Sequence, residues 1–96
     1  MTKNEKIDYP LITLVSLVNN GRIKFALSGL CDFPFRSIQL EDILNDNSIP
    51  KDERIKKVVL NVPHEILDDL GGSKEYRKFM LHTMLDELLE NFQEVI

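Results

Sequence analysis

The tightest constraint on this chain lies in its last quarter. Gly71-Gly72 interrupts whatever precedes it, Ser73 offers a side-chain oxygen to amides two and three residues on, and Glu75 sits where the positive end of a helix favours a carboxylate. Ser73 is therefore read as an N-cap, and one long helix is predicted over 73–93. Along it Tyr76, Phe79, Met80, Thr83, Met84, Leu88 and Phe92 recur at spacings of three and four, widened by Leu81, Leu85 and Leu89. Lys74, Lys78, Asp86, Glu87, Glu90 and Glu94 mark its wet side. Such a helix is marginal alone and has to bury its stripe, so the rest of the chain must provide a surface.

That surface is predicted to be a β-hairpin over 11–31. Leu11 to Val18 is apolar and β-branched, Asn19-Asn20-Gly21-Arg22 is turn chemistry, and strand character resumes from Ile23 to Leu30. A two-residue Asn20-Gly21 turn sets Val18 opposite Ile23, Ser16 opposite Phe25 and Leu14 opposite Leu27, a core face that Ile12 completes. The reverse face carries Leu11, Thr13, Val15 and Leu17 against Lys24, Ala26, Ser28 and Leu30. Leaving Leu11, Val15 and Leu17 in water forgoes several kcal/mol at about 25 cal/mol per Å². Another part of the chain or a partner is expected to cover them.

Residues 1–10 read as a polar arm ending at Pro10. Between hairpin and long helix, Ser37 caps a short helix over 37–46 with Ile38, Leu40, Ile43 and Leu44 inward. Pro50 opens a second over 50–61, with an apolar edge of Ile55, Val58, Val59 and Val62, and Pro63 stops it. The expected fold is a single α+β domain over 1–96, a two-layer arrangement of an antiparallel hairpin of two to three strands packed on three helices. Ninety-six residues leave no room for a second domain.

Net charge −4 without a basic patch argues against nucleic acid. The polar start, Met1-Thr2-Lys3-Asn4-Glu5-Lys6, and the lack of any long apolar run argue against a signal peptide or membrane span, which gives a cytoplasmic expectation. The single cysteine, Cys31, reads as a small buried hydrophobe, and with His64 and His82 it has no metal-ligand spacing. No nucleophile elbow, phosphate-binding glycine loop, zinc-protease helix or dinucleotide fingerprint is present. Asp68 and Asp69 read as helix-dipole and capping residues rather than an acid/base pair. Arg36 reads as a salt-bridge partner of Glu41 or Asp42, Met80 and Met84 as core filling, and His82 and His64 as partly packed surface side chains. No residue is assigned a catalytic or metal role.

Three stretches, in order, carry a resemblance. Asp8-Tyr9-Pro10-Leu11 precedes Gly21-Arg22-Ile23; Gly29 is followed by Pro34, Arg36, Glu41 and Leu44; and Asp69-Leu70-Gly71-Gly72-Ser73 leads to Tyr76-Arg77. Over residues 7 to about 92 the chain resembles the C-terminal domain of the FAD-binding subunit of molybdenum hydroxylases, the group of carbon monoxide dehydrogenase, xanthine dehydrogenase and aldehyde oxidase. Pro34, Arg36, Glu41, Asp69, Gly72, Ser73, Tyr76 and Arg77 occupy the family's motif positions, with Gly71 where many members carry arginine. The resemblance implies a non-catalytic module that packs on a flavin domain, within an oxidoreductase that also has molybdopterin and iron–sulfur subunits. It implies no cofactor held by this chain and FAD in a partner domain, with Asp8 and Tyr9 the positions nearest the flavin. Leu11, Val15 and Leu17 are the expected interface. The alternative is a free-standing interaction module that self-associates through that same face, as a homodimer.

Overall fold

In the computed structural model, which describes residues 2–93, a four-stranded antiparallel sheet carries three helices on one face. The strands are β1 (Thr2–Asp8), β2 (Thr13–Asn19), β3 (Arg22–Ser28) and β4 (Phe35–Arg36), and they lie side by side in chain order. The helices are α1 (Ile38–Leu44), α2 (Lys51–Leu60) and α3 (Lys74–Gln93). Glu94, assigned to the wet side of the long helix, lies outside the described residues.

The hairpin forms in the register its turn dictates. Asn20 and Gly21 both take positive φ, as a tight two-residue turn demands, and Val18 pairs with Ile23, Ser16 with Phe25 and Leu14 with Leu27. Those six side chains and Ile12 are buried. Ser37 and Ser73 cap α1 and α3, accepting from the amides of Leu40 at 3.2 Å and Tyr76 at 3.1 Å.

Five expectations are corrected. The polar arm is strand β1, paired with β2 from Thr2↔Asn19 to Asp8↔Thr13, and the sheet has four strands rather than two or three. As an edge strand β1 needs little apolar patterning: Ile7 faces the core, and Asn4, Lys6 and Asp8 share the opposite side.

The reverse face of the hairpin is also smaller than alternation predicts. Leu11 lies before β2 begins, in the connection closed by Tyr9 N–H donating to the Ile12 carbonyl at 2.8 Å, and it packs against the core. Leu30 is fully buried, because Gly29 at φ +87° breaks the alternation after β3. A Cβ on Gly29 would lie 2.0 Å from the Leu11 carbonyl oxygen, so the backbone crossing there admits no side chain.

The buried stripe of α3 is rotated from the predicted one. Arg77, Met80, Leu81, Met84, Leu85, Leu88, Leu89 and Phe92 face inward, while Tyr76 and Phe79 are exposed. Arg77 takes a buried position because its guanidinium finds acceptors there, and the helix turns accordingly. On α1, Ile38 faces solvent and Glu41 is buried with Leu40 and Leu44, for a related reason described next.

Candidate functional site

β4 covers β3 only at Ala26 and Leu27, so the earlier part of β3 has an open edge. Side chains of α1 close it. Asn45 Oδ1 accepts from the Ile23 amide at 2.8 Å and Asn45 Nδ2 donates to the Ile23 carbonyl at 2.8 Å. One helical turn earlier, Glu41 Oε2 accepts from the Phe25 amide at 3.1 Å. The spacings match: four helical residues advance about 6 Å and two strand residues about 6.6 Å, so positions i and i+4 of a helix reach positions j and j+2 of a strand edge. Glu41 also receives a two-pronged bond from Arg36, Nε to Oε2 at 2.7 Å and Nη2 to Oε1 at 2.9 Å. Burial pushes the Glu41 carboxyl up, but the Arg36 and Phe25 hydrogen bonds and the Arg36 and Arg22 charges together hold it below its ordinary value. Arg36 pairs with Glu41 rather than Asp42, which instead accepts from Arg22 at 2.6 Å.

The second motif builds the entry to α3. Asp69 and Gly72 exchange backbone hydrogen bonds at 3.1 Å each way. Asp69 Oδ1 accepts from the amides of Gly71 at 3.0 Å and Gly72 at 3.2 Å and from Arg77 Nη1 at 3.3 Å. Arg77 Nη1 also donates to the Gly72 carbonyl at 2.7 Å. Partial burial raises the Asp69 carboxyl, and the Arg77 and glycine-amide contacts outweigh it to hold the group low. Gly72 has a packing reason: a Cβ there would meet Leu11 Cδ1 at 2.3 Å. The Leu11 side chain thereby packs on the entry to α3, and the Asp69 carboxylate organises the turn over 69–72 rather than capping the helix, whose cap is Ser73.

Asp8 and Tyr9 end β1 at that same corner. Asp8 accepts from the Thr13 hydroxyl at 2.7 Å, and this bond is the first cause of its lowered carboxyl. Tyr9 donates its hydroxyl to Glu87 Oε1 of α3 at 3.3 Å. Burial first, then the Glu87 charge, pushes that hydroxyl up. Pro34 is exposed just before β4. His64 does have ring partners, missed because they lie far back in the chain: Phe33 and Phe35 meet it edge-on, at centroid distances of 4.6 and 5.1 Å. Cys31 is buried, and burial with the nearby Asp32 and Glu65 charges raises its thiol, which leaves it little thiolate character. Among the described residues no cluster of three or more His, Cys, Asp or Glu is placed to hold a metal, and no helix is long and apolar enough to cross a membrane.

What remains open is surface. On the outer side of the sheet, Lys6, Val15, Ala26 and Arg36 align in one cross-strand row, with Asn4, Leu17 and Lys24 in the next. Val15 is 50% exposed at the centre. Around it lies an open depression of about 440 Å³ lined by Val15, Leu17 and Ala26 and rimmed by Asn4, Lys24 and Arg36. Of the three expected interface residues, Val15 and Leu17 are on this face and Leu11 is not. A second exposed apolar surface, between α2 and α3 around Leu60 and Phe79, was missed because the periodicity assigns Phe79 to the core.

No protein-family model matches the chain, and no curated protein matches it. Solved structures do. A cyanide-inactivated form of the Cu,Mo-CO dehydrogenase shares the fold at 20% identity with a TM-score of 0.59, and a reconstituted CO dehydrogenase from Oligotropha carboxidovorans does so at 20% identity with a TM-score of 0.60. In both cases the match covers 88% of this chain and 33% of the other, so the chain spans about a third of the length of the solved chains it matches. This likeness is one of fold: an α+β domain with a four-stranded antiparallel sheet and three helices.

Proposed function

We propose that this chain is an accessory domain of a molybdenum hydroxylase-type oxidoreductase, of the kind that ends the FAD subunit, and that it packs on a flavin domain without chemistry of its own. The observation that carries the reading is the coincidence of the CO dehydrogenase-like fold with an uncovered apolar patch at Val15, Leu17 and Ala26 on the outer sheet face. Lys24 and Arg36 on the rim give that patch a cationic border suited to a partner surface bearing carboxylates. The motif residues support the reading as scaffold. Arg36 and Glu41 close the β3 edge and so hold the outer face in shape, and Asp69, Gly72, Ser73 and Arg77 fix α3 beneath it.

FAD belongs in this reading to the partner domain, where it supplies the redox chemistry. Asp8 and Tyr9 are the positions of this chain nearest to it. Their hydrogen bonds to Thr13 and Glu87 would hold the β1–β2 connection rigid against the flavin domain. Molybdopterin and iron–sulfur subunits would complete the assembly, in the cytoplasm.

The test is association. Mixing the chain with an FAD-binding domain from the same genome should give a complex on size-exclusion chromatography that Val15→Glu weakens at least about tenfold, with the thermal transition of the isolated chain unchanged. Absence of a complex, or a complex indifferent to Val15→Glu, overturns the reading. A homodimer dispersed by Val15→Glu would support the self-associating module instead.

A further inference from the structure

We propose that the groove between α2 and α3 is a second docking site, distinct from the outer sheet face, and that it takes an acidic amphipathic helix from another protein. Leu60 is 79% exposed and Phe79 68% exposed, and they stand on facing walls of an open groove of about 470 Å³ with Val59 at its floor. Two large apolar side chains held this far into water on adjacent helices are a costly arrangement for a free surface. The walls are helices and no strand edge borders the groove, so the fitting ligand is a helix inserting an i, i+3, i+4, i+7 ridge.

Charge selects the kind of helix. Lys56 of α2 and Lys78 of α3 flank the apolar floor. Among the described residues Lys78 is held by a pair to Glu75 at 3.7 Å, and no ion pair to Lys56 forms. Glu75, the carboxylate lining the groove, is 84% exposed and directed at Lys78. The adjoining depression adds Lys74, whose partner Glu65 is likewise turned to solvent at 3.5 Å. On a chain of net charge −4 the groove carries one cation more than its carboxylates, with Lys56 as the charge left for an incoming carboxylate on the flank of the ridge.

Two synthetic peptides of about 18 residues test the site, sharing one leucine ridge at the spacing above but flanked by glutamate in one and by lysine in the other. Titrated into the ¹⁵N-labelled full chain, the glutamate peptide should shift the amides of Leu60, Phe79 and His82 and bind about tenfold tighter than the lysine peptide, a gap that salt narrows. Lys56→Glu with Lys78→Glu should reverse the preference. Leu60→Ser with Phe79→Ser should abolish binding of both peptides while the thermal transition stays in place, since neither side chain belongs to the core. Equal affinities, no binding, or shifts centred on Val15 and Leu17 would overturn the proposal. So would a concentration-dependent dimer in sedimentation that Leu60→Ser with Phe79→Ser disperses, because the occupant would then be a second copy.

Discussion

Arg36–Glu41 and Arg77–Asp69 are both arginine–carboxylate pairs at the borders of helices, yet burial falls on opposite partners. Glu41 is fully buried and its arginine is 48% exposed, whereas Arg77 is 5% exposed and its aspartate 53%. In the first pair the acid is the structural element, satisfying a strand-edge amide, and the arginine neutralises it from the rim. In the second the arginine is the structural element, clamping the Gly72 carbonyl beneath α3, and the acid organises a turn in water. The contrast teaches that the cost of breaking such a pair is set by what is left behind in the interior, and less by the pair's own geometry.

The largest expected effect follows directly. Arg36→Ala strands a buried carboxylate with one remaining donor, the Phe25 amide, and should cost about 2–3 kcal/mol, read as a fall in the urea midpoint at unchanged slope. Asp69→Ala also removes an exposed partner, but Arg77 keeps its bond to the Gly72 carbonyl and water can reach the turn amides, so a clearly smaller fall in the urea midpoint is expected. Equal losses in the two variants would break the comparison.

A pH series sharpens it. Both carboxyls titrate below their ordinary values in the fold, so each contributes stability that is present above the unfolded value, 4.5 for Glu41 and 3.8 for Asp69, and is lost as pH falls through the lower folded value. Glu41→Gln should therefore flatten the acid limb of the melting temperature against pH, beginning nearer pH 4.5 than the change Asp69→Asn produces. An unaltered limb in Glu41→Gln would mean that this carboxylate gains nothing from Arg36 on folding. The smallest effect is expected at neutral pH for Asp69→Asn, a barely measurable shift of the melting temperature, since the amide oxygen still accepts from Gly71 and Gly72 and an exposed charge contributes little.

The same contrast explains which residues could be read from the chain. That Asp69 serves backbone close to it was legible because its partners, Gly71, Gly72 and Arg77, are within eight residues. The Arg36–Glu41 pair was legible for the same reason, but Glu41's burial was not, because the Phe25 amide it serves is sixteen residues away. His64 against Phe33 and Phe35, and Tyr9 against Glu87, were invisible on the same grounds.

By itself the sequence determined the hairpin register, the helix starts at Ser37 and Ser73 and the two-layer class, since turn φ angles, caps and periodicity act between neighbours in the chain. Only the tertiary structure decided that residues 2–8 are a strand, that Leu11 turns inward over Gly72, and that α3 rotates to bury Arg77 and leave Phe79 in water. Each of those outcomes depends on a hydrogen-bond partner or a steric limit supplied by a distant segment. Local pattern carries no record of such a partner until the chain has closed on itself.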